Sequence, residues 1–343
     1  MKKRYTTLLF LLFCGLAIHS QSFKNASDYL DFVGEEHQNI TKNMWKYTKA
    51  VAHSKSDRTI DAKRNVLVKS VERAIAKIEK AQGYGGDDFK NHVLTHMRLN
   101  ESMLKHDYAN IIDLKEVAEQ SYDYMEAYVL AQELADKKME EAYKEYDTHF
   151  RVFAAKHNIN IIENESDLGN KMKISNEVFK HYNKLHLMHF KVSINEVYLL
   201  DAFKRNDMSA IQQNANALSE TAKEGLKLLN TLDVYKNDKT IVEATKQAFE
   251  FYIEEAEVQV PKLIEFLALN ETFENIKNTL EKTPQNKRTK EQVDSYNAKV
   301  SEINKAVNTN NKVNTDLNNK RQKVVEKLNT VNANFLSKHI PND

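Results

Sequence analysis

The sequence predicts an all-α fold, an elongated helical bundle, and three observations carry that reading. Glycine and proline number only 7 and 3 in 343 residues, where average usage gives roughly 24 and about 17. So few turn-forming residues cannot serve the many turns of a β-sandwich, a barrel or a doubly wound sheet. Apolar residues recur at steps of three and four over long stretches, the period of one helix face. Finally, 29% of residues are charged but the formal balance is only +1. That balance provides no whole-chain basic field for nucleic acid and no acidic excess pointing to disorder.

The first helix is expected over 27–51, where Tyr29, Phe32, Val33, Ile40, Met44, Tyr47 and Val51 repeat at helical spacing. Ser54-Lys55-Ser56-Asp57 is a polar break with a good N-cap. A second helix follows to about Ala81, carried by Ile60, Val66, Leu67, Val71, Ile75 and Ile78. Gly83-Tyr84-Gly85-Gly86 ends it as a C-cap and turn. It is no phosphate cradle, because no strand precedes it and no Gly-Lys-Ser/Thr follows. Asp87-Asp88 starts a third helix through Phe89, Val93, Met97, Met103 and Leu104, and a softer stretch spans 107–113.

The fourth helix is expected from about Leu114 to His157. Its seam is Met125, Tyr128, Gln132, Ala135, Met139, Ala142, Tyr146, His149 and Phe153. The fifth, capped by Ser166 and running to about Arg205, has two apolar stripes and should be central. Val178, Tyr182, Leu185, Val192, Leu199 and Phe203 make one; Leu187, Phe190, Ile194 and Val197 make the other. A sixth helix starts at Asn206-Asp207 and ends near Leu232, and a seventh runs from Asp238 to about Glu281. Pro261 removes a backbone donor inside the seventh, so a kink is expected there. After Thr283-Pro284 the last helix runs from about Thr289 to Lys338. Its heptad seam has a polar middle at Asn310, Asn314 and Arg321, and polar seam residues fix register or partner.

The two halves are alike. A shift of 151 residues matches Ile60 with Ile211, Ile75 with Leu226, Ile78 with Leu229, Tyr84 with Tyr235 and Asp87 with Asp238. The expected organisation is a signal peptide over 1–20 followed by tandem four-helix units over 21–160 and 161–343, with long antiparallel helices. Lys2, Lys3 and Arg4 precede the short apolar run Leu8–Ile18, and Ser20 ends a cleavage pattern before Gln21. Cys14 is the one cysteine. Phe13 sits where a lipobox wants a small residue, so the pattern disfavours a lipid anchor at Cys14. Cleavage at Gln21 leaves a chain without cysteine chemistry, and no later stretch is apolar enough to span a bilayer. The expected location is therefore exported, in the periplasm or at the cell surface of a Gram-negative bacterium.

Candidate chemistry is sparse. His92 and His96 lie four apart on one helix face, the spacing at which two imidazoles can share a metal. Glu101 and His106 are their nearest helpers. His181, His186 and His189 recur on the fifth helix, but His181 and His186 diverge by roughly 140°, and His189 reads as a core histidine. Tyr122, Tyr124, Tyr128, Tyr143 and Tyr146 are conceivable as a flat binding platform, with core packing the simpler use. Asn-X-Ser/Thr sequons start at Asn25, Asn39, Asn164 and Asn270, among others. No nucleophile elbow or nucleotide fingerprint occurs, and no cofactor is implied.

Several stretches together carry a resemblance. They are Glu36-His37-Gln38-Asn39-Ile40-Thr41-Lys42, Ala50-Val51-Ala52-His53-Ser54-Lys55-Ser56, Asp107-Tyr108-Ala109-Asn110-Ile111 and Ala118-Glu119-Gln120-Ser121-Tyr122. Phe153-Ala154-Ala155-Lys156-His157-Asn158-Ile159, Tyr296-Asn297 and the Asn-rich run 304–311 join them. Together they resemble a family of exported, all-helical bacterial surface proteins without an assigned activity. The resemblance implies an envelope or surface location and carries over no functional residues. The expected function is non-enzymatic binding or scaffolding at the envelope with a protein partner. The alternative is a periplasmic ligand- or metal-binding helical protein using His92 and His96.

Overall fold

The computed structural model describes residues 22–54, 56–107, 111, 114, 117–162 and 166–342. The leader, Cys14, Gln21, the Tyr108–Asn110 segment and the Asn164 sequon lie outside them. The all-α expectation holds. The helices are α1 (Ala26–His53), α2 (Asp57–Lys80), α3 (Asp88–Ser102), α4 (Tyr122–Lys156), α5 (Asp167–Lys204), α6 (Met208–Leu229), α7 (Thr240–Glu254), α8 (Val260–Lys282) and α9 (Lys290–His339).

Most breaks are made by polar caps, as the scarcity of glycine requires. Asn25, Ser56, Ser121, Ser166, Asp207 and Thr289 each accept a backbone N–H of the first turn that follows. The cap at Ser121 corrects one expectation. It starts α4 at Tyr122 and not near Leu114, because Ser121 takes the Tyr124 N–H at 3.2 Å and a turn occupies Glu119–Gln120. Val66 is a second correction: it is 48% exposed, while its neighbour Leu67 is fully buried. The second stripe of α5 also stops early, at the buried Ile194, leaving Val197 exposed.

Two π-helical turns adjust the register. Met103–Asp107 extends α3, and the wider turn lets the consecutive Met103 and Leu104 both bury. Glu255–Gln259 joins α7 to α8 and falls directly before Pro261. There the Val260 N–H reaches back to the Glu255 carbonyl. Proline has no N–H for the next bond of the ladder, so the helix yields at the place the sequence marks.

The helices pack largely in chain order, α1 on α2, α2 on α3, α3 on α4, α5 on α6, α6 on α7, and α7 and α8 on α9. α5 also meets α1, α4, α7 and α9, the central position expected of it. Two apolar clusters result. One joins Tyr29, Val33, Leu67, Val71, Ile78, Phe89, Met97 and Phe153. The other is built on α5–α9 around Val178, Leu185, Leu199, Ile211, Phe249, Tyr252, Leu328 and Phe335. Trp45 of α1 crosses over and belongs to this second cluster.

Each cluster is closed by a similar aromatic clasp. Phe153 packs on His157 with centroids 4.5 Å apart, and Tyr84 meets that histidine edge-on at 5.3 Å. Phe335 packs on His339 at 4.7 Å, and Tyr235 meets it edge-on at 5.2 Å. Gly85, at φ +68°, lies against the His157 ring, where a Cβ would stand 3.1 Å from Cε1. The second clasp is reinforced by Asp238, which accepts from Lys338 at 2.7 Å and His339 at 2.8 Å. Burial pushes the Asp238 carboxyl up, but bonds from Lys338, Thr240 and His339 outweigh it and hold it well below the usual range.

One buried glycine has a packing reason. A Cβ on Gly225 of α6 would lie 2.5 Å from Cε2 of Phe249 on α7. Helix propensity alone would stabilise Gly225→Ala by about 1 kcal/mol, whereas overpacking costs about 1–3 kcal/mol. Thermal unfolding of G225A is therefore expected at a lower temperature than wild type; a rise would show that Phe249 moves aside freely.

Candidate functional site

The antiparallel pairing of α3 and α4 decides what the predicted histidines do. His92 and His96 line one small surface cavity with Thr95, Leu99, Ala142, Glu145, Tyr146 and His149. They do not act as a pair. The His96 Nδ1 is 3.1 Å from the Ala142 carbonyl and its Nε2 is 3.1 Å from the Asn100 amide nitrogen. The assignment that satisfies both has Nδ1–H donating and Nε2 accepting, which uses both nitrogens. Burial lowers the affinity of this ring for a second proton. His96 is a satisfied core histidine between His37 and Tyr146.

His92 turns instead to α4. Its ring stacks on His149 with centroids 3.3 Å apart, and its Nε2 is 3.8 Å from the exposed Asp88 carboxylate. Glu101 is engaged by Lys105 at 2.6 Å, and His106 Nδ1 faces the Ser102 carbonyl at 3.0 Å, so neither helper reaches His92. Among the described residues no three His, Cys, Asp or Glu side chains are placed to hold a metal ion.

The α5 histidines also go separate ways. His189 is enclosed beside Phe249 and Tyr252, and burial lowers it to about 4. His186 stacks on Tyr182, and His181 packs near Tyr235 and Phe335. The tyrosines do not form one platform. Tyr146 sits among His37, His96 and Phe150, while Tyr124 and Tyr143 face solvent. Tyr122 donates to Glu126 at 3.0 Å beneath the Lys191 ammonium.

The most concentrated buried electrostatics lie elsewhere, at the π-turn before Pro261. Arg321, on the α9 seam, donates through Nε to Glu196 of α5 at 2.5 Å and through Nη2 to Glu255. Its Nη1 donates to Asn318. Glu196 and Glu255 are 7% and 2% exposed. One guanidinium thus serves two carboxylates, leaving one excess negative charge in a site nearly without water. Burial first, and the Glu196 charge second, push Glu255 up to about 8 against the pull of Arg321. Glu255 Oε2 has no hydrogen-bond partner. A proton held on Glu255 is the electrostatic solution to this arrangement.

On the outer side of the same turn, a groove of about 500 Å³ runs between α6 and the start of α8. Ala215 and Ala256 leave the room, and Gln212, Asn216, Ser219, Glu220 and Glu257 line it. Its polar groups already engage one another: Gln212 donates to Asn216 at 3.1 Å, and Ser219 and Lys223 both reach Glu257 at 2.6 Å.

No known protein family matches. Neither a family model, nor a curated protein, nor a solved structure shows significant similarity to this chain.

Sequence reasoning missed three features. The His92–His149 stack depends on which helices pair. The Glu255 position depends on the added residue of a π-turn. Glu196 did leave a signal: it stands between Val192 and Leu199 on an apolar stripe, where a carboxylate calls for a partner.

Proposed function

We propose that this chain is an exported, non-enzymatic binding or scaffolding protein of the bacterial cell envelope or surface that meets a protein partner through its helix faces. The observation that carries the reading is the hairpin of α8 and α9. The second cluster takes Leu263, Ile264 and Leu267 from α8 and Val313, Leu317 and Val324 from α9. Beyond them, over 268–312, every hydrogen bond, ion pair and ring contact described stays within the hairpin.

Within this stretch Leu269, Phe273, Ile276 and Leu280 of α8 repeat at steps of three and four and are only half-buried. Tyr296, stacked on Phe273 at 5.9 Å, and Val300 are half-buried on α9. Two helices can cover such a seam from one side each, and a helical partner can complete it. The leader pattern supports the location.

A photo-crosslinking residue at Tyr296 or Val300 of the chain expressed with its leader provides the test. Capture of one envelope protein from both positions, and not from exposed Lys246 of α7, is expected. Equal yields from all three positions, or none from the hairpin, would overturn the reading.

A further inference from the structure

The turn that closes the α8–α9 hairpin is the most cationic short segment of the described chain without ion pairs. Lys282, Lys287, Arg288 and Lys290 fall within nine residues that contain no acid. The three lysines are exposed and Arg288 is half-buried. None of the four has a carboxylate within ion-pair distance among the described residues.

The two nearest acids face other groups. Glu281 acts on Lys277, one turn back along α8. Glu291 is held below the usual carboxylate range by its own backbone N–H and the Thr289 hydroxyl, at the positive end of α9.

The turn is also well built. Lys287 N–H donates to the Pro284 carbonyl at 2.8 Å, and Arg288 Nε donates to the Thr283 carbonyl at 3.0 Å. Thr289 and Gln292 cap α9 reciprocally at 3.0 and 3.2 Å. The cations are therefore presented on a fixed end, about 35 Å of helix away from the α9 residues that join the main cluster.

From this arrangement we infer that the hairpin tip docks on an anionic phospholipid surface. A convex turn of nine residues is too small to bury the roughly 800 Å² per partner of a stable protein interface. A charged membrane needs no matching shape: its field acts on any cation within a Debye length, about 8–10 Å. No helix of the described chain is long and apolar enough to cross a membrane. The exposed cations of the tip place the contact at the headgroups. The envelope reading says only where such a surface is met; the charge argument stands apart from it.

The test is flotation of the full chain, without its leader, with phosphatidylcholine vesicles and with vesicles one third phosphatidylglycerol. Binding to the anionic vesicles alone is expected at low salt, with loss at about 0.3 M salt, where the Debye length has shrunk to about 5–6 Å. Each cation contributes about fivefold to such binding. The combined Lys282→Gln, Lys287→Gln, Arg288→Gln and Lys290→Gln variant is therefore expected to bind several hundredfold more weakly. A control with Lys204, Lys227, Lys239 and Lys246 changed to Gln loses the same charge elsewhere and is expected to bind as wild type, with both variants matched for helicity by circular dichroism. No binding at low salt, equal binding to neutral vesicles, or equal loss in the two variants would overturn the proposal. None of these arms involves a protein partner, so they fail or succeed independently of the crosslinking.

Discussion

Replacing Arg321 by leucine is expected to destabilise the protein by about 3–5 kcal/mol, the loss typical when one partner of a buried ion pair is removed. The reason is what remains. Glu196 and Glu255 would stay enclosed by α5, α7 and α9 with no cation among them. Leucine supplies apolar volume but no donor. Urea unfolding at neutral pH gives the measurement. Adding Glu196→Gln and Glu255→Gln to the same chain is expected to recover most of the loss, because no charge is then left without a partner. A loss below about 1 kcal/mol for R321L would place the cluster in the class of solvent-screened pairs.

The second large effect is in pH. Burial and the Glu196 charge push the Glu255 carboxyl from its ordinary 4.5 up to about 8 in the fold. Between these values the unfolded chain has released this proton and the folded chain has kept it. The folded state then binds more protons, so stability falls as pH rises through the window and levels off above it. Glu255→Gln keeps the shape and removes the titration. Its stability is expected to match wild type near pH 4.5 and to exceed it progressively, by a few kcal/mol near pH 8.

The difference between the two chains is the useful readout. His37 and His189 are lowered by burial to about 3 and about 4, so below 6.5 they make stability rise with pH and mask part of the wild-type slope. Parallel profiles for E255Q and wild type would mean that Glu255 carries no proton in the fold.

These results bear on what a helical sequence discloses. The α4 seam was legible residue by residue, since every position from Met125 to Phe153 in it is buried or half-buried. The α9 seam was legible in its larger part, including the half-buried Arg321 at its polar middle, but Val293 and Val307 of the expected seam are exposed. A helix face follows directly from a period of 3.6. What a face meets does not, because that depends on pairing and register. Arg321 could be seen to need partners, but Glu255 is aimed at it by a turn that abandons the helical period.

The clasps show the same limit in another form. Tyr84 and Tyr235 match under the shift of 151, whereas Phe153 and His157 match Phe335 and His339 only at 182. The extra length lies between them, in the α7–α9 region that includes the hairpin. No single offset could therefore display the whole correspondence.

Trp45 is the one tryptophan of the chain. It belongs by position to the first helix and by packing to the second cluster, where it is 7% exposed. Its emission is consequently a report on the seam between the two clusters. Signal from an indole so placed is expected to follow the parting of α1 from the second cluster. One native indole thus gives an optical report on how α1 is held against the second cluster.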